Sequence, residues 1–172
     1  IGANYSAIYP YRTSILFTDS IPLLALLAKL FSPLLPQHFQ YFGIWGLLCY
    51  ALQGGLAQAI LARLGGVRPG QTARCWATVA GAGVLVLFPA LTIRMFAHTA
   101  LAANWLVLLA LWVWLAGDEL LPTTRRACLV WGLLGVLCAG IHLYYLPMVG
   151  LVLVGYAIRR ALQKRGVAAV VL

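Results

Sequence analysis

Six side chains whose types can bind phosphate, move protons or hold polar groups stand at the ends of apolar runs: Asp19, Gln40, Arg94, His98, His142 and Tyr145. Asp19 is one of three acids in the chain. A carboxylate there can act as a general base, ligate a cation, or cap the helix whose amides follow it. Arg94 sits at the rim of a run, where an Arg snorkels to water by default. Its guanidinium also has the planar fork that holds a phosphate by two parallel hydrogen bonds. His98 lies four residues further on, so the two share a face if the segment is helical. His142 and Tyr145 join His98 in a second group, and Gln37, His38 and Gln40 can line the same cavity. Three scattered His residues without acid spacing give no metal site, so a divalent cation is open as a cofactor but has no motif behind it. The chain contains no Ser or Cys nucleophile motif, Walker loop or dinucleotide fingerprint. Its four cysteines form no Cys-x-x-Cys pair and read as free thiols among helices.

The elements that must position these groups are membrane helices. The chain of 172 residues is 63% hydrophobic and 9% charged, with a mean hydropathy of +0.95. A soluble domain carries roughly a quarter charged residues, so one globular core does not account for this composition. The net charge of +9 would suggest nucleic acid in a soluble protein. Here nine of the twelve Lys and Arg residues fall in three short segments, Arg63/Arg68/Arg74, Arg125/Arg126 and Arg159/Arg160/Lys164/Arg165. That clustering is the positive-inside pattern of a multi-pass protein, so no nucleic-acid partner is expected.

The pattern predicts an all-α transmembrane bundle of about five spans. Residues 1–38 form a surface loop carrying one short helix near 20–32, with Asp19-Ser20 ahead of Ile21-Pro22 as its start signal. Too short to cross, that helix reads as re-entrant or interfacial. Spans follow at 39–62, 75–93 (bent by Pro89) and 99–116. Between Ala127 and Ile158 lie 32 residues without Lys, Arg, Asp or Glu. One helix of that length overshoots the bilayer, so it divides into spans at 127–142 and 144–158 around His142. The start of a further span at 167–172 and the lack of an initial Met mark both ends as cut from a longer protein. Trp45, Trp76, Trp112, Trp114 and Trp131 fall near span ends, where aromatic belts form. Small residues at Ala77/Gly81 and Gly135/Ala139 are expected at close helix contacts.

Alternating crossings place 63–74, 117–126 and 159–165 on one side, the cytoplasmic one by their charge. The six candidate residues share the other. Among polar residues inside the spans Gln53, Gln58 and Asn104 stand out, and none ionises. An ion-coupled carrier usually needs such a group at mid-membrane, so a transporter is disfavoured.

The segments Phe17-Thr18-Asp19-Ser20-Ile21-Pro22-Leu23 and Leu35-Pro36-Gln37-His38-Phe39-Gln40-Tyr41-Phe42-Gly43-Ile44-Trp45 resemble a bacterial multi-pass membrane family of unknown function grouped with the GT-C-type glycosyltransferases. Arg94 to Trp105 and Ile141-His142-Leu143-Tyr144 are similar to its later motifs. The resemblance implies a GT-C-like fold in the bacterial inner membrane and a sugar donor linked to polyprenyl phosphate, bound on the periplasmic face among membrane lipids. It implies an acid in the first outer loop as catalytic base, a role that falls to Asp19 or to a residue upstream of Ile1. Basic residues would hold the donor phosphate. Asn104 stands where the family pattern has His beside Trp105. The alternative reading is a non-catalytic lipid-binding scaffold, or a carrier for lipid-linked sugars.

Overall fold

The computed structural model describes residues 3–8, 11–14, 20–36 and 39–164. The expected surface loop at the start contains a β-hairpin, β1 (Ala3–Ile8) antiparallel to β2 (Tyr11–Ser14). Alternating polar and branched or aromatic residues in this stretch suit a pleated ribbon. Helix α1 (Pro22–Leu30) opens on Pro with Ile21 as N-cap and no side-chain cap. With nine residues it is too short to cross, and a 3-10 turn at Ser32–Leu34 stops it at Pro33. The predicted further span at 167–172 lies outside the described residues, as do Asp19, Gln37 and His38.

The bundle proper begins with α2 (Phe42–Leu64), followed by α3 (Thr72–Val86) and α4 (Pro89–Ala97). After a 3-10 turn at Thr99–Ala102 come α5 (Trp105–Leu115), α6 (Gly117–Leu120), α7 (Thr124–Ile141) and α8 (Tyr145–Lys164). Three helices, Phe42–Leu64, Thr124–Ile141 and Tyr145–Gln163, are long and apolar enough to cross a membrane. The pair α3 and α4 counts as a fourth if it is one span bent by 42°. The bend falls where Phe88 precedes Pro89, because a residue before Pro is pushed out of the helical region; Phe88 has ψ 131°.

Three expected spans differ in the structure. The run at 99–116 is divided into a 3-10 turn and α5, which has 11 residues and is only about 16 Å long, near half of a bilayer core. The last two spans are longer than expected. α7 and α8 extend past their apolar runs through Arg125/Arg126 and Arg159/Arg160, since long basic side chains reach water from a continuing helix.

Short α5 sits at the centre, packed against α2, α7 and α8, while α3 packs on α2 and α1 on α7. Its residues Trp105, Leu106, Ala110 and Val113 are buried, with Cys49 of α2, Leu134 and Cys138 of α7, and Tyr145 and Val149 of α8. Glycine permits two close approaches between α2 and α3: a Cβ at Gly54 would stand 3.2 Å from Val86, and one at Gly81 3.0 Å from Leu61. The expected Gly135/Ala139 contact is absent, as Gly135 faces open space and Ala139 is exposed. Of the proposed belt tryptophans, Trp76 is well exposed, whereas Trp45 and Trp131 are core residues.

Candidate functional site

Side-chain bonds tie the helix ends into two groups. At the basic end, Arg63 from the last turn of α2 donates from Nε to the Leu115 carbonyl (3.2 Å) and from both terminal nitrogens to Glu119 (3.0 and 3.2 Å). Arg159 of α8 donates to the Trp114 carbonyl at 3.3 Å. Two arginines from different helices thus bond carbonyls in the last turn of the short α5, at the negative end of that helix.

The far end gathers the start of α2, the end of α4 and the starts of α5 and α8. Arg94, in the last turn of α4, is half-buried and donates from Nη1 to Asn104 Oδ1 at 3.1 Å. Asn104 is the N-cap residue of α5, but its side chain caps no amide, which leaves its oxygen for Arg94. Tyr145, buried at the start of α8, donates its hydroxyl to the Leu101 carbonyl at 2.6 Å and lies 3.4 Å from Asn104 Oδ1. A hydroxyl has one proton, so the shorter contact is the main bond and the longer a weak second arm. Trp45 donates Nε1 to the Thr99 carbonyl at 2.8 Å, fastening α2 to the same 3-10 turn. Just before α2, burial pushes the Tyr41 phenol above its usual value, partly offset by a hydrogen bond with the Ile21 backbone.

The candidate residues are only partly brought together. Arg94 and Tyr145 meet through Asn104. His98 lies just past the helix, which ends at Ala97: as the C-cap residue it adopts φ −141° and ψ 73°, its amide donates to the Arg94 carbonyl at 2.8 Å, and its side chain is exposed. His142 ends α7, and its Nδ1 accepts from the Tyr144 amide at 3.3 Å, folding the imidazole back onto its own turn. Its ring meets Tyr144 edge-on, with centroids 4.7 Å apart. Gln40 is exposed beside the entry to α2. Among the described residues no group of three or more His, Cys, Asp or Glu is arranged to hold a metal ion.

Asn104 and Trp45 stand out in the sequence for other reasons, as a polar residue within a span and as a belt tryptophan, and their part in this cluster is not legible there. The available signal was an Asn directly before an apolar helix, and a Trp spaced to point inward. The cluster concentrates a cation, an amide and two carbonyl-fastened rings where four helices converge. Among the described residues Arg94 bonds the Asn104 oxygen and also meets the Tyr145 hydroxyl; a guanidinium has five N–H donors, so the arrangement is suited to receiving a further acceptor, and an anionic oxygen above all.

Helix lengths, apolar composition and the two sorted ends define a multi-pass helical membrane protein. It belongs to the family described as domain of unknown function DUF6311, whose model matches residues 1–172. No curated protein and no solved structure matches the chain.

Proposed function

We propose that this chain is part of an integral-membrane glycosyltransferase of the bacterial inner membrane, with its basic loops cytoplasmic. It takes a sugar from a polyprenyl-phosphate donor on the periplasmic side. The observation that carries the reading is Arg94: a half-buried guanidinium at the end away from the basic clusters, held by one neutral amide and paired with no carboxylate among the described residues. A cation in that position is expensive to keep near hydrocarbon and is matched by a phosphate, to which Arg offers two parallel bonds. His98, exposed one turn beyond, and His142 and Gln40 on the same side extend the polar surface toward the sugar. Support for the transfer step comes from the GT-C-type resemblance, which assigns the base to Asp19 or to a residue upstream.

Binding of a short-chain polyprenyl phosphate to the purified protein in nanodiscs tests the first half. Arg94→Ala should weaken it about tenfold or more, the loss of a charge-assisted pair, and unchanged affinity would remove Arg94 from the site. Sugar transfer by the full-length protein tests the second half: Asp19→Asn should abolish product while leaving donor binding intact.

One observation favours a second reading, a non-catalytic binder or carrier of lipid-linked sugars. The groups that meet Arg94, the Asn104 amide and the Tyr145 hydroxyl, suit holding an anion and supply no general base themselves. That reading predicts donor binding without any transfer product in the full-length protein.

A further inference from the structure

At the basic end, α7 and α8 leave a notch of about 300 Å³ lined by Thr124, Ala127, Tyr156, Ala157, Arg160 and Ala161. Helical spacing explains its shape. Thr124, Ala127 and, two turns on, Trp131 occupy one face of α7, while Tyr156 and Arg160 stand four apart on α8. Three alanines keep the space open, and the polar groups along it are donors. The Arg160 guanidinium carbon lies 5.9 Å from the Tyr156 ring centroid, close enough for a cation–π contact that holds the charge at the rim. Tyr156 is 6% exposed and its hydroxyl has no hydrogen-bond partner. Its ring packs tilted against Trp131, with centroids 5.5 Å apart, and the Trp131 indole Nε1 is also buried without a partner among the described residues.

The beginning of α7 adds to this. Thr123 Oγ1 caps the Arg126 amide at 3.2 Å, while the amides of Thr124 and Arg125 precede any carbonyl the helix can offer them. They carry the positive end of an 18-residue helix. Arg125 and Arg126 are exposed beside them, and none of the described residues that line the notch is acidic. Deeper along α8, Leu153 and Val154 are exposed and apolar, the surface an acyl chain covers. A polar group that is anionic, oxygen-rich and attached to hydrocarbon meets all of these demands together.

We infer that the notch between α7 and α8 is a binding site for the headgroup of an anionic glycerophospholipid, its phosphodiester held by Arg160 and the first turn of α7. The site lies at the opposite end from the Arg94 cluster and is independent of the proposed transferase reading. It differs from general attraction of anionic lipid to basic loops, because it assigns the contact to one notch and one neutral hydroxyl.

The test is native mass spectrometry of the delipidated protein titrated with short-chain phosphatidylglycerol or phosphatidylcholine. The wild type should retain phosphatidylglycerol about tenfold better, the strength of one charge-assisted contact. Arg160→Gln should remove most of that preference. Tyr156→Phe, which deletes only the hydroxyl, should reduce it, and Arg68→Gln, which removes a charge from another basic loop, should leave it. Equal retention of the two lipids overturns the proposal. So does a loss with Arg68→Gln as large as with Arg160→Gln, which would mean diffuse charge attraction. Displacement of the lipid by an equal concentration of glycerol phosphate would identify a soluble anion as the ligand and overturn the lipid assignment.

Discussion

Asn104 Oδ1 is the acceptor that orients Arg94, and it is neutral. Among the described residues that choice leaves the guanidinium positioned but not neutralised, which is what the proposed phosphate site needs. Asn104→Asp would supply a carboxylate at the same place and pair the charge. The expected outcome is a loss of polyprenyl-phosphate affinity of about tenfold with thermal stability unchanged or raised; retained affinity would show that Arg94 binds no anion. Tyr145→Phe tests a different role. Removing a buried hydroxyl with a 2.6 Å bond to the Leu101 carbonyl should cost about 1–2 kcal/mol, read as a lower melting temperature in detergent. Arg94 and Tyr145 were legible in the sequence because a charged or phenolic group between apolar runs is conspicuous. Asn104 was legible only as a polar residue inside the span at 99–116; its role depends on the break at residues 98–104, and hydropathy does not report where a helix stops and turns.

α5 shows how an element too short to span is built into a bundle of longer ones. Its carbonyl end is bonded by Arg63 and Arg159, and its other end meets Arg94 and Tyr145. The Arg63–Glu119 pair is exposed at 38% and 75%, so its charge contributes little, about 0.5 kcal/mol or less, and less in salt. Packing near this junction is the stronger constraint. A Cβ at Gly117 would lie 2.9 Å from Tyr156 Cε2, on a ring already packed against Trp131. Gly117→Ala should therefore cost about 1–3 kcal/mol. A Cβ at Gly46 would come even nearer, 2.7 Å from Met95 Cε, but that methyl is the free end of a flexible chain, so Gly46→Ala should cost less. Paired melting curves check the order, and a larger loss at Gly46 would contradict it. The expected count of five spans came from apolar run lengths alone. Those runs located α2, α7 and α8 well, because each is a single uninterrupted helix, and Pro89 marked the bend in 75–93; they misjudged 99–116, where the turn at Thr99–Ala102 divides the chain.

Across the whole molecule, the separation of charge seen in the sequence becomes a separation of bonded ends. Arg63 and Arg159 meet α5 at one end, and Trp45, Arg94 and Tyr145 meet its approach at the other. Between them the exposed surface includes Leu47, Val84, Leu133, Val136 and Leu151, apolar side chains that a bilayer covers and water would not. Helix lengths and composition establish that the bundle can cross a membrane; the direction proposed for it rests on the charge bias alone. Single cysteines at the two ends can read that direction. In a background with Cys75→Ala and Cys128→Ala, which removes the exposed thiols while Cys49 and Cys138 stay buried, His98→Cys should react with a membrane-impermeant maleimide in spheroplasts. Arg68→Cys, in the loop joining α2 to α3, should react only after the membrane is permeabilised. The reverse pattern would put the Arg94 cluster in the cytoplasm. A polyprenyl-phosphate sugar on the periplasmic face would then be out of its reach, whatever affinity the purified protein shows for it.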